Sequence, residues 1–196
     1  VLISGYFAIK LKWRSMLKFY LQCFFIGLFS YLAYVGICGG FSWQVLAELL
    51  LAFTHNGWWF VVSYVGLMLL SPLLNKAVDG MTCKQLLHSV LLFSLVILYL
   101  GWYQKVEPTN SGCSLISFAW IYLIGRYIGK HISLQAIRNY RWCWLGGYLV
   151  ACLALFGMIM LRYHCAWEMH YPLDYNNPIV VVAAIMLLLF FLSWSF

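Results

Sequence analysis

Uncharged apolar runs alternate with short polar or basic connectors along the whole chain. Six runs reach or approach the length that crosses a hydrocarbon core of roughly 30 Å at about 1.5 Å per helical residue: 17–37, 58–74, 86–102, 114–128, 142–161 and 179–196. The pattern predicts an all-α fold, a multipass transmembrane helix bundle of about six spans within one domain. Cys38-Gly39-Gly40 is expected to stop the first span, since glycine is the usual helix end. The second opens on the aromatic pair Trp58-Trp59 and is expected to close at Ser71-Pro72, with Asn75 at its exit. The fourth is the least apolar, because Arg126 falls inside it. Residues 43–53 are apolar but too short to span. Gln44, Glu48 and His55 recur there at spacings of four and seven, which shares one helical face and predicts an amphipathic helix lying in the interface. No internal repeat is visible.

Composition removes the soluble alternative. Charged residues make up 9% of the 196 and hydrophobic ones 65%, whereas a soluble domain wets its surface with roughly 25% charged residues. The formal charge of +7 then speaks of topology and not of a nucleic-acid partner. With six spans, Lys10, Lys12, Arg14, Lys18, Lys76, Lys84, Arg126, Lys130, Arg138 and Arg141 fall on one side, ten of the twelve cations, and Lys105 and Arg162 on the other. Four of the five acids lean the opposite way, Asp79 being the exception. The positive-inside rule therefore places the N-terminus in the cytoplasm of a cell-membrane protein, with the connectors around 38–57, 103–113 and 162–177 outside. Val1-Leu2-Ile3 reads as the tail of an earlier helix and Phe196 lies in an apolar run, so a piece of a longer protein is expected. The seven cysteines contain no C-x-x-C pair; Cys38, Cys113 and Cys165 share the outer side, where any two could form a disulfide.

Few residues offer chemistry. Lys10, Arg14 and Lys18 are spaced by four, so a helix through all three would carry one cationic stripe, either a phosphate-binding surface or an anchor for lipid headgroups. Spacing alone favours the anchor. Arg126 is the one arginine embedded in a span, which makes it either a site residue or a side chain snorkelling to the nearby connector. Glu48 and His55 could form an outward acid–base pair, or a solvated face of an interfacial helix. His164, Glu168 and His170 depart from His-Glu-x-x-His, and the aromatics around them suit an interface belt, so no metal is expected. His88 and His131 fit helix ends at the boundary.

Three stretches carry a resemblance. Ser4-Gly5-Tyr6-Phe7 followed by basic residues, Trp58-Trp59-Phe60 running to Leu69-Leu70-Ser71-Pro72-Leu73-Leu74-Asn75, and Leu123-Ile124-Gly125-Arg126-Tyr127-Ile128 are similar, in this order, to segments of the acyltransferase-3 family. That family consists of multipass proteins that acylate sugars of cell-surface polymers. The resemblance implies an O-acyltransferase using acyl-CoA, commonly acetyl-CoA, as donor substrate and a sugar hydroxyl of a polysaccharide or lipid-linked glycan as acceptor, with no bound cofactor. It implies donor-binding roles for Lys10, Arg14, Lys18 and Arg126 near the cytoplasmic face, with Glu48 and His55 on the acceptor side. Where the family often has two arginines three apart, this chain has Arg14-x-x-x-Lys18. The catalytic histidine implied by the family belongs to a helix before Val1, so residues 1–196 are not expected to catalyse by themselves.

Two other classes fit the composition: a polysaccharide-lipid transporter, and a non-catalytic membrane scaffold. The transporter would need paired charges within the spans, and none is apparent in the sequence. The layout itself is directly testable. In sealed vesicles a membrane-impermeant reagent should label a tag in connector 103–113 and leave one in 129–141 untouched from the same side. Labelling of both would dissolve the six-span arrangement.

Overall fold

The computed structural model of the chain describes residues 1–50, 58–106, 109–165 and 172–194. Among these there are helices and no strands, as expected. In order they are α1 (Leu2–Tyr6), α2 (Trp13–Cys38), α3 (Trp43–Leu50), α4 (Trp59–Asp79), α5 (Cys83–Ile97), α6 (Leu115–His131), α7 (Leu134–Asn139), α8 (Arg141–Cys165) and α9 (Pro178–Leu192). A π-helical turn, Leu98–Tyr103, extends α5. Four helices are long and apolar enough to cross a membrane: α2, α4, α5 with its π-helical extension, and α8. Helices α6 and α9, of 17 and 15 residues, rise only about 25 and 22 Å, so four of the six expected spans have full crossing length. The short α3 lies where an interfacial amphipathic helix was expected.

The expected stop at Ser71-Pro72 does not occur; α4 runs through both residues to Asp79. Proline has no N–H for the carbonyl four residues back, here that of Met68. The Ser71 hydroxyl donates to that carbonyl at 2.7 Å and replaces the missing bond. In an apolar surround this substitution is what lets a proline sit inside a helix. Its consequence is positional, because Asn75 and Asp79 now lie one turn apart on a single helical face.

The least apolar of the expected spans, α6, is the centre of the fold. It packs against α1, α4 and α5, and it buries Ser117, Phe118, Trp120, Tyr122, Ile124, Gly125 and Ile128. Toward α5, the Trp120 indole donates to the Ser94 hydroxyl at 2.7 Å, which in turn donates to the Val90 carbonyl. Toward α1, the approach is backbone to backbone. A Cβ on Gly125 would lie within clash distance of the Leu2 carbonyl and 3.0 Å from the Gly5 Cα, and Gly129 one turn on faces Tyr6 as closely. Small residues four apart permit this close crossing, the device by which membrane helices associate without a hydrophobic drive. At the other side of the bundle α8 pairs with α9, and the Arg141 guanidinium stacks 4.8 Å over the Trp194 ring.

Gly125→Ala should therefore overpack the α1–α6 crossing and destabilise the protein by about 1–3 kcal/mol. Gly146 in α8 has no atom within 4 Å of an added Cβ, so Gly146→Ala should be neutral or stabilising by up to about 1 kcal/mol. Thermal or denaturant unfolding in detergent micelles ranks the two, and equal costs would mean that α1 does not pack as described.

Candidate functional site

The sequence places its cations at one end of the bundle, and the structure builds a polar cluster there from α4, α6 and the segment after α1. Tyr122, Arg126 and Lys130 are spaced by four along α6, opposite Asn75 and Asp79 on α4. The Tyr122 hydroxyl donates to Asn75 Oδ1 at 2.7 Å and accepts from the Ile9 amide at 3.2 Å. Asn75 Nδ2 donates to the Ile9 carbonyl at 2.9 Å. Three groups thus close a small ring of hydrogen bonds on the backbone N–H and C=O of one residue, Ile9. The turn that delivers Ile9 is made by Ala8 at φ 57°, a left-handed conformation that costs an alanine roughly 1–2 kcal/mol and is held by this ring.

One turn further out, Arg126 Nη2 donates to Asp79 Oδ1 at 3.1 Å, and Lys130 Nζ lies 3.8 Å from the same oxygen while donating to the Val78 carbonyl at 2.7 Å. The Arg126 side chain is 12% exposed and that of Asp79 65%. Arg126 is therefore neither a bare embedded charge nor a side chain stretched toward the connector; it is paired. Asp79 lies beyond the expected 58–74 span and is largely exposed, so the pair stands at the end of the bundle and not inside the spans. The guanidinium is not saturated. Its Nε, on the same edge as Nη2, is buried with no hydrogen-bond partner. A two-oxygen anion is the ligand shape that fits such an edge.

The expected cationic stripe is divided. Helix α2 begins at Trp13, so Lys10 precedes it and only Arg14 and Lys18 share its surface. Lys10 directly follows Ile9, whose backbone joins the ring of hydrogen bonds, and is itself exposed. Lys18 lines a shallow groove with Leu21, Phe25 and Phe29 on the exposed side of α2. Neither Arg14 nor Lys18 forms an ion pair with Asp79 or joins Arg126 among the described residues. Glu48 lies half-buried on α3; His55, with which an acid–base pair was expected, falls outside the described residues, as do Glu168 and His170. Residues 75, 79, 122 and 130 were not singled out by spacing, although Asp79 stood out as the one acid on the basic side.

The opposite end carries buried amides and, among the described residues, no basic cluster. Asn176 Nδ2 donates to the Thr109 carbonyl at 3.0 Å and Asn177 Nδ2 to the Pro172 carbonyl at 2.8 Å, while Asn177 Oδ1 caps α9 through the Ile179 amide. Cys38 and Cys113 are both free thiols, and the Cys165 side chain is outside the described set. Burial pushes the Cys113 thiol above its ordinary value, and the nearby Asp174 carboxylate adds to the effect. Between the two ends, Trp59, Phe60, Phe118, Ile121, Tyr175 and Val181 help line a cavity of about 170 Å³ with wholly apolar walls. It suits hydrocarbon and offers nothing to a sugar hydroxyl.

These energetics separate by burial. Asn75→Ala strands the Tyr122 hydroxyl and the Ile9 carbonyl and should cost about 1–3 kcal/mol. Asp79→Asn removes a largely exposed carboxylate and should cost under about 1 kcal/mol. Thermal unfolding of the two variants in detergent measures both; the reverse order would mean that the ion pair, and not the hydrogen-bonded ring, holds this end. Set against family models, curated proteins and solved structures, the chain matches none.

Proposed function

We propose that the chain is the core of a membrane-bound O-acyltransferase, moving an acyl group, acetyl in the simplest case, from acyl-CoA to a sugar hydroxyl of a surface polysaccharide or lipid-linked glycan. One observation carries the reading. The three stretches that resemble the acyltransferase-3 family, remote in sequence, form one contact unit. Ser4 Oγ meets Tyr64 Oη at 3.0 Å, Gly5 lies on Gly125, and α4's Asn75 and Asp79 face α6's Tyr122 and Arg126. The proposal includes a cell-membrane location, six traverses and the basic end toward the cytoplasm, where acyl-CoA is found.

In this reading Arg126, Lys130 and Lys10 hold the phosphates of the donor, a narrower and partly different set from Lys10, Arg14, Lys18 and Arg126. A histidine supplied by the remainder of the reading frame takes the proton of the acceptor hydroxyl. The hydroxyl oxygen then attacks the thioester carbonyl, the carbon–sulfur bond breaks, and the CoA thiolate leaves with a proton. Glu48 and His55 stay on the acceptor side of the proposal.

The test uses the full reading frame in native membranes with labelled acetyl-CoA. Arg126→Ala should raise the KM for the donor about ten- to hundredfold, the loss of a charge-assisted hydrogen bond, with a smaller change in kcat. A deletion strain should lose acyl groups from its surface sugars. Undiminished acylation in that strain, or an unchanged donor KM in the variant, would remove the assignment.

A further inference from the structure

Helix α2 turns one face to its own bundle and another away from it. Toward the bundle, the Phe19 ring lies 5.0 Å from that of Tyr64, Gly27 abuts Leu49 and Trp58, and the Tyr31 hydroxyl donates to the Ser42 carbonyl at 2.9 Å. Away from it run Lys18, Gln22, Phe25, Phe29, Leu32 and Gly36, all exposed, at alternating spacings of four and three. That spacing is the seam of a two-helix coiled coil. A groove of about 440 Å³ follows the seam between Lys18 and Phe29, and a Cβ on Gly36 would meet nothing.

An apolar stripe facing lipid needs no partner, but Gln22 is not apolar. It lies five residues beyond Leu17, where the apolar run opens, so its Cα is roughly 7 Å inside the hydrocarbon. Its amide has two N–H donors and an acceptor oxygen, and finds no partner among the described residues. Lipid tails offer none. A carboxamide is self-complementary, because each copy can donate to the oxygen of the other. A two-fold axis along the membrane normal sets two identical helices parallel and in register, which brings each Gln22 opposite its own counterpart. The two Lys18 ammonium groups, one turn nearer the surface, reach outward to headgroups and away from each other.

We propose that α2 is a homodimerisation helix, its seam from Lys18 to Gly36 packed on the same seam of a second copy and the Gln22 amides hydrogen-bonded across the axis. Interhelical polar contacts of this kind act as glue where apolar packing alone cannot choose a partner. The inference does not rest on the acyltransferase reading.

Stoichiometry of the full reading frame, labelled once per chain and reconstituted in liposomes at falling protein-to-lipid ratios, tests it. Two-step photobleaching should predominate at high density, and Gln22→Leu should raise the dimer dissociation constant roughly three- to twentyfold. In a background with the native cysteines, including the exposed Cys38, Cys83 and Cys143, replaced by serine, Phe29→Cys on the seam should add an oxidatively cross-linked dimer that the background protein does not form. This second variant keeps Gln22 and so reads the interface even if Gln22→Leu lowers expression. Monomers at every density overturn the proposal, as does a dimer that is indifferent to Gln22→Leu. A Phe29→Cys disulfide to a different protein overturns it equally.

Discussion

A hydrocarbon surround supplies no hydrogen bonds, and that constraint organises the polar side chains of this chain. Several buried cases are local repairs or tertiary ties. The Ser71 hydroxyl replaces the N–H that Pro72 lacks, and α4 continues. Trp120 cannot leave its indole N–H in an apolar core, so it reaches Ser94 and thereby fixes α5 against α6. Asn75 and Tyr122 complete each other and use their remaining capacity on the Ile9 peptide. Few such ties suffice because each is more consequential than its counterpart on a wet surface, where water would replace a lost partner.

The same constraint explains why α6 looked weakest as a span. A helix facing lipid must be apolar around its circumference, whereas one covered by α1, α4 and α5 can carry Ser117, Trp120, Tyr122 and two glycines inward. The peripheral α2 and α8 therefore read as long, strong spans, while α6 reads as a short one interrupted by Arg126. The all-helical class and most boundaries were legible because apolar runs and connectors alternate sharply. The path of α4 through Pro72 was not, since it depends on one serine hydroxyl turning inward. That single misplaced stop hid the shared face of Asn75 and Asp79, and with it the partner of Arg126.

The site was legible in proportion to how far it depends on local spacing. Arg126 announced itself as a charge inside a span. Its pairing with Asp79 spans 47 positions, and only the parallel packing of α4 on α6 creates it. Lys10, Arg14 and Lys18 were grouped by a helical period that holds for Arg14 and Lys18 but not for Lys10, because Ala8 turns the chain and the helix starts only at Trp13. Lys130 was visible only as one of ten cations on its side. Resemblance, by contrast, picked out stretches that do meet in space, although it could not say through which atoms.

Asp79 gives the basic end its particular character. Ten cations gather on that side of the sequence and one carboxylate opposes them, and it binds Arg126, the less exposed of the two cations it meets. A guanidinium left alone at 12% exposure would be costly to keep charged and free to take other rotamers. The carboxylate holds it in one orientation while remaining largely in water itself, so little desolvation is spent on the pair. On the acyltransferase reading, an incoming phosphate group carries more charge than a carboxylate and presents several oxygens to the Nη2 that Asp79 now occupies. Asp79 can then swing into solvent with little loss. On the acyltransferase reading, the exposed carboxylate is a placeholder that keeps Arg126 aligned between donors, and its high exposure is what makes it displaceable.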